Sequence, residues 1–246
     1  MTFRRGLLAL VLVLACTAAV QAFRFEPISQ DFTPTGPQAN RLFRVSNPGP
    51  EQMAIRVTIH PRTMNRDGSE ILGSETSDFI VFPRQFLVGP GESRSIRVRF
   101  QGTPPTDREL SYRIVAEQLP VDDGQALPAQ GGGIQLTYRY EGTVYVVPPG
   151  VRSIARVTGA LRERRDGVEL IRVTVSNSGG RHRLLTDIQL ALTDRADGET
   201  RMVLGADQLP GMAGQNVLAG ATRDFLIPAP ENLWFGSVYA TLLPPD

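Results

Sequence analysis

Residues Gly131–Gly150 read GGGIQLTYRYEGTVYVVPPG, and the rest of the chain is understood by working outward from them. Ile134, Leu136, Tyr138, Tyr140, Val144 and Val146 share one parity, whereas Gln135, Thr137, Arg139, Glu141 and Thr143 share the other. Successive side chains of a strand point to opposite faces, so the pattern predicts one long strand with an apolar face and a polar face. It exceeds the usual strand length of about five or six residues. Val121–Gly133 ahead of it carries the Gly, Pro and Asp content of a loop, and Pro148-Pro149-Gly150 ends it. A long strand beside a loop has backbone groups that must be covered or offered to another chain.

The same alternation recurs along the chain. Met53, Ile55, Val57 and Ile59 follow the turn Asn47-Pro-Gly-Pro50, and Ile96, Val98 and Phe100 follow Gly89-Pro-Gly91. Leu110, Tyr112, Ile114 and Ala116 form a further run. After Gly150 the pattern restarts with Leu170–Val175, the turn Asn177-Ser-Gly-Gly180, Leu184–Leu192, Phe225–Ile227 and Ser237–Leu243. No long segment keeps a 3.6-residue apolar period. Short strands with Gly/Pro punctuation predict an all-β chain of two immunoglobulin-like β-sandwich domains in tandem. About seven strands are expected before Pro148, with Phe23–Phe32 as the first, and five to seven after it. The domains then span 23–148, with the long strand at 134–147, and 149–246. A single barrel over the whole length is the rival architecture.

The first 22 residues read as an export signal: Arg4-Arg5, an apolar run from Gly6 to Ala15, then Val20-Gln21-Ala22 before the cut. That run is shorter than the about 18 apolar residues of a membrane span. The expected product starts at Phe23 and resides in the periplasm. Val13-Leu14-Ala15-Cys16 also resembles a lipoprotein cleavage box, so a lipid anchor on Cys16 is the alternative processing. Cys16 is the only cysteine, and cleavage after Ala22 leaves a chain without disulfides.

The chain has no lysine; all 26 basic residues are Arg, and loss of Arg4 and Arg5 leaves 24 against 25 acids, a formal charge of −1. This balance gives no basic face for nucleic acid, and Schiff-base chemistry has no lysine to use. His60 and His182 stand in different predicted domains without metal-ligand spacing, and both read as surface residues. Asp67/Glu70, Asp122/Asp123 and Asp194/Asp197 sit in turns, as solvated loop carboxylates do. Neither a nucleophile elbow nor a phosphate-cradling loop is present. The reading is of a protein that is not an enzyme and needs no cofactor and no metal.

Phe25-Glu-Pro, Leu42-Phe-Arg-Val-Ser-Asn-Pro48, Phe82-Pro, Phe86-Leu-Val-Gly-Pro-Gly-Glu-Ser93, Ser111-Tyr-Arg-Ile and Glu117-Gln-Leu-Pro120, together with the Gly131–Pro149 strand, resemble the chaperones of the chaperone–usher pilus pathway. The second half resembles them only through Asn177 after a strand and the Leu218-Ala-Gly-Ala221 turn. The resemblance implies donor-strand complementation. Pilus or fimbrial subunits lack their last strand, and the chaperone lends its own, then delivers the subunit to an outer-membrane usher. The donor row would be Ile134, Leu136, Tyr138 and Tyr140, with Val144 and Val146 in the chaperone's own core.

The family holds the subunit's terminal carboxylate with an Arg on the first strand and a Lys on the donor strand. Ungapped placement puts Ser29 and Thr143 at those positions, a departure that marks a divergent branch. Arg139 has the parity of Thr143 but lies about 13 Å along the strand, and Arg24 has the wrong parity on the first strand. These four residues form the candidate carboxylate-anchor cleft. Two other functions are compatible with the residues: a two-domain extracytoplasmic structural or adhesive protein, lipid-anchored through Cys16, and a periplasmic hydrolase with convergent carboxylates.

Overall fold

The computed structural model describes residues 22–120, 137–233 and 236–243. Among these, ten strands precede Pro148: β1 (Arg24–Glu26), β2 (Ser29–Phe32), β3 (Asn40–Ser46), β4 (Met53–Met64), β5 (Glu70–Leu72), β6 (Phe79–Phe82), β7 (Gln85–Val88), β8 (Ser93–Phe100), β9 (Leu110–Leu119) and β10 (Arg139–Val146). They form two sheets. One runs in the order β1-β3-β8-β6, and the other in the order β2-β10-β9-β4-β5 with β7 also on β4. Alternation drives their packing. Ile55, Val57 and Ile59 of β4, Ile96 and Val98 of β8, Ile114 of β9, and Val144 and Val146 of β10 are almost fully buried in one core.

The segment Phe23–Phe32 is two strands rather than one. β1 pairs antiparallel with β3 in the first sheet, and β2 pairs parallel with β10 in the second. Pro27 lies between them and has no backbone N–H to donate, so a continuous ladder cannot pass through it. The chain therefore changes sheets at Pro27 and Ile28.

Eight strands follow among the described residues: β11 (Ala155–Arg165), β12 (Val168–Asn177), β13 (Arg183–Leu184), β14 (Gln189–Thr193), β15 (Met202–Leu204), β16 (Asn216–Val217), β17 (Thr222–Pro228) and β18 (Tyr239–Leu243). They pair as β11-β12-β17, β15-β14-β18 and the short ladder β13-β16. A second, separate core gathers Ile171, Val173 and Val175 of β12 with Leu190 and Leu192 of β14 and Phe225 and Ile227 of β17. The expected strand Leu184–Leu192 is interrupted: Leu184 pairs with β16 and only Gln189 onward joins β14. The chain is thus all-β with two sandwich cores. No helix among the described residues is long and apolar enough to cross a membrane.

Candidate functional site

β10 has two different edges. On one side it runs antiparallel to β9 along its whole length, from Arg139 opposite Glu117 to Val146 opposite Leu110. On the other, β2 engages it only from Thr143 opposite Ser29 to Val146 opposite Phe32. The Thr143 amide donates to the Ile28 carbonyl at 2.7 Å, and there the partner strand begins. Because the chain before Ile28 belongs to the other sheet, residues 139–142 have no strand on this edge among the described residues. A groove of about 830 Å³ opens beside them, lined by Phe25, Pro27, Ile28, Leu42, Phe43 and Tyr140 among others. An unpaired strand edge leaves backbone N–H and C=O groups open to a further strand.

Of the expected donor row, Ile134 and Leu136 lie outside the described residues. Tyr138 and Tyr140 are partly buried against the first core. The Tyr140 ring meets Phe23 edge-on with centroids 4.7 Å apart, and the Tyr138 carbonyl accepts the Gln118 amide at 2.9 Å. These two tyrosines therefore serve the protein's own sandwich in part, whereas Val144 and Val146 serve it completely. Gly142 occupies the inward position between them. A Cβ there would lie 2.9 Å from Ile114 Cγ2, 3.1 Å from the Ile28 carbonyl oxygen and 3.2 Å from the Phe25 ring. The close approach of the sheet-crossing segment requires a residue with no side chain at this point.

The polar face of β10 builds a second feature. Ser29 and Thr143 are register partners, but neither Arg24 nor Arg139 stands beside them. Arg24 is exposed on β1 opposite Ser46, in the other sheet. Arg139 is half-exposed and held by Glu141 at 2.9 Å, with Glu117 at 3.8 Å. The cation on Thr143 is Arg113 of β9. Its Nη1 donates to Thr143 Oγ1 at 2.6 Å, and its Nε and Nη2 grip the two Glu70 oxygens at 2.7 Å each. Alternation already turns Arg113 outward between Tyr112 and Ile114. Only the β9–β10 register, with Thr143 opposite Arg113, reveals the contact.

Glu70 is shared. Arg62 donates to it from Nη1 at 2.7 Å, to Ser111 Oγ from Nε at 2.7 Å, and to Tyr145 Oη from Nη2 at 2.7 Å. The Arg62 side chain is only 2% exposed, so these partners compensate a buried charge. Tyr145 then carries the network into the second domain. Its ring stacks on His182 with centroids 3.8 Å apart and 8° between planes, and its hydroxyl accepts from Asn216 Nδ2 at 2.7 Å.

His182, expected on the surface, is instead held between the domains. Its backbone N–H donates to Glu109 Oε1 at 2.7 Å, its Nδ1 lies 2.9 Å from both Glu109 oxygens, and its side chain is 11% exposed. A turn residue is buried here because a carboxylate from the other domain reaches it. His60 keeps a local role, with Nδ1 3.1 Å from the Gly73 carbonyl and Nε2 3.0 Å from Thr58 Oγ1. No group of His, Cys, Asp and Glu suited to a metal ion occurs among the described residues.

Burial alone would raise the Glu70 pKa, but the guanidinium groups of Arg113 and Arg62 outweigh it and hold the carboxyl below its ordinary value of 4.5. A carboxyl depressed in the folded state contributes stability that is fully present above its unfolded value and lost as pH falls through the folded one. Glu70→Gln is therefore expected to lower stability at neutral pH and to flatten its dependence on pH below about 4.5. Thermal melts of both forms at stepped acid pH check this, and parallel acid limbs would refute it.

Residues 33–152 match the family described as pili and flagellar-assembly chaperone, PapD N-terminal domain. Among solved structures, the class 5 fimbriae chaperone CfaA is 16% identical, with 92% of this chain and 100% of that one covered and a TM-score of 0.56. CsuC–CsuE, a pre-assembly complex of a chaperone with a tip adhesion subunit from archaic chaperone–usher Csu pili of Acinetobacter baumannii, is 15% identical, covers 83% of this chain and 90% of that one, and has a TM-score of 0.52. The Salmonella enterica SafA pilin with the SafB chaperone gives 15% identity, coverage of 85% of each chain and a TM-score of 0.52. At such identities the likeness is one of fold. No curated protein sequence matches the chain.

Proposed function

We propose, on the match of residues 33–152 to the pili and flagellar-assembly chaperone family, that the chain is a periplasmic chaperone that holds pilus or fimbrial subunits by strand donation and passes them to an outer-membrane usher. The observation that carries this reading is the half-open edge of β10: β2 begins only at Ser29, opposite Thr143, and residues 139–142 face a groove instead of a strand. Residues 1–22 are the export signal, outside the described residues except for Ala22, and the domains are taken as 23–148 and 149–246. A strand of the bound pilin laid on the free edge of β10 would gain main-chain hydrogen bonds. The row Ile134, Leu136, Tyr138 and Tyr140 would supply its side-chain contacts.

The terminal carboxylate of the pilin needs a register stop, because a slip of one residue turns every donor side chain to the wrong face. In this reading Arg113 would take that role with the Thr143 and Ser29 hydroxyls, in place of an Arg–Lys pair. Glu70 orients the guanidinium from behind, and Nη1 already reaches the strand that would be lent.

Small proteins co-purifying with the exported chain, identified by mass, test the proposal directly. Expected are pilins with an incomplete sandwich, captured by the wild type and captured at least tenfold less well by Arg113→Met, one hydrogen-bonded ion contact being worth about 1.5–3 kcal/mol. Amidating the terminal carboxyl group of the pilin should reproduce that loss in the wild type and add nothing in the variant. Recovery of the protein in the membrane fraction with a lipidated Cys16 and no bound pilin would instead favour an anchored structural protein.

A further inference from the structure

A polar cavity lies at the domain junction. It encloses about 420 Å³ and is lined by Arg66, Asp67, Arg165, Arg172, Arg223 and Asp224, with Phe225 beneath. Four arginines against two aspartates give this lining a formal charge of +2. The acids present are already engaged. Asp224 accepts Arg66 Nε at 3.0 Å, Arg66 Nη2 at 2.9 Å and Thr174 Oγ1 at 2.7 Å. Asp67 is turned to its own loop, accepting the Ser69 amide at 2.8 Å and hydroxyl at 2.6 Å. Glu163, behind the cavity, binds Arg165 at 2.7 Å and Arg172 at 2.6 Å, which still leaves a net +1.

Arg223 has no counter-ion in contact among the described residues. It is 6% exposed and lines the cavity, its Nη1 is spent on the Asn216 carbonyl at 2.7 Å and Gln215 Oε1 at 3.3 Å, and its buried Nε has no hydrogen-bond partner among those residues. Its guanidinium carbon sits 4.7 Å over the Phe225 ring. Burial draws its pKa below the ordinary value, and the charges of Asp67 and Glu70 oppose this only in part. A buried cation left in this state is costly unless an anion joins it. Planar guanidinium groups converging on one space are suited to an oxyanion, which each can bind with paired N–H donors.

We infer that this cavity is a binding site for a small oxyanion, held by Arg223 and Arg165 and closed by the turn at residues 66–68 of the first domain. Since the Asp224 amide also donates to the Arg66 carbonyl at 2.7 Å, the ligand would sit on the junction itself and tie the two domains together. Phosphate, sulfate and a carboxylate share the required chemistry.

The exported chain, free of pilin, is titrated calorimetrically with inorganic phosphate against chloride at constant ionic strength, and separately with acetate. A saturable isotherm of one site is expected, weakened at least tenfold in Arg223→Met and in Arg165→Gln and unchanged in Arg24→Gln. Binding of phosphate but not acetate would assign an inorganic anion, and the reverse a carboxylate. Should Arg223→Met fail to fold, Arg165→Gln, half-exposed and away from the core, decides alone. Absence of saturable binding of either anion, or equal binding by the foldable variants and the wild type, overturns the inference. The measurement contains no pilin, so its failure would leave strand donation untouched.

Discussion

Replacing Tyr138 with Asp is expected to weaken the capture of pilins by at least about a hundredfold while lowering the melting temperature by only a few degrees. In the proposed complex the side chain enters an apolar groove, where an unpaired carboxylate costs several kcal/mol. A hundredfold corresponds to about 2.7 kcal/mol, well within that cost. In the free protein Tyr138 is only partly buried and precedes the first residue of β10, so the carboxylate can reach water. Leu136→Glu, two residues earlier on the same parity, should behave alike. Binding measured against a purified pilin, beside thermal melts of the free variants, separates the two effects. If stability and binding fell together, Tyr138 would be ordinary core and donation by this face would be refuted.

The largest expected loss of stability is at Asn177, which is fully buried. Its Nδ2 donates to the carbonyls of Arg181 at 2.7 Å, Val217 at 3.2 Å and Leu218 at 3.3 Å, while its Oδ1 accepts the amides of Ile154 at 2.9 Å and Gly179 at 3.1 Å. One amide thus ties the start of the second domain to two of its turns. Asn177→Ala leaves the Gly179 N–H buried without its partner and the Ile154 N–H part-buried without its partner, at about 1–3 kcal/mol each, and deprives three carbonyls as well. A total near 3 kcal/mol is expected, a fall in melting temperature on the order of 10 °C. Calorimetry reads it, and a shift below about 2 °C would show that water or a rearranged turn replaces the amide.

Asn47 makes the corresponding set in the first domain, from Nδ2 to the carbonyls of Glu51, Val88 and Gly89 and from the Gly49 amide to Oδ1. Both asparagines follow a Val-Ser pair at the end of an apolar strand, Val45-Ser46-Asn47 and Val175-Ser176-Asn177. The Leu218-Ala-Gly-Ala221 turn, which with Asn177 carries the family resemblance in the second half, lies against that residue: the Asn177 amide donates to the Ala221 carbonyl and the Gly220 amide to the Asn177 carbonyl. Two fragments far apart in the chain are therefore one structural feature.

The local rules were legible because they act between neighbours. Alternating side chains placed Ile55, Val57, Ile59, Ile96, Val98, Val144 and Val146 on buried faces, and Gly/Pro turns separated the strands, so the all-β class and the two sandwiches followed from the sequence alone. Long-range register was not legible. Arg113 meets Thr143 because β9 lies beside β10, and Arg24 stands apart because β1 belongs to the other sheet. His182 looks like an ordinary surface residue in its own turn. It is buried where Glu109 and Tyr145 of the first domain meet it, since burial depends on what arrives from elsewhere and no neighbour in sequence records it.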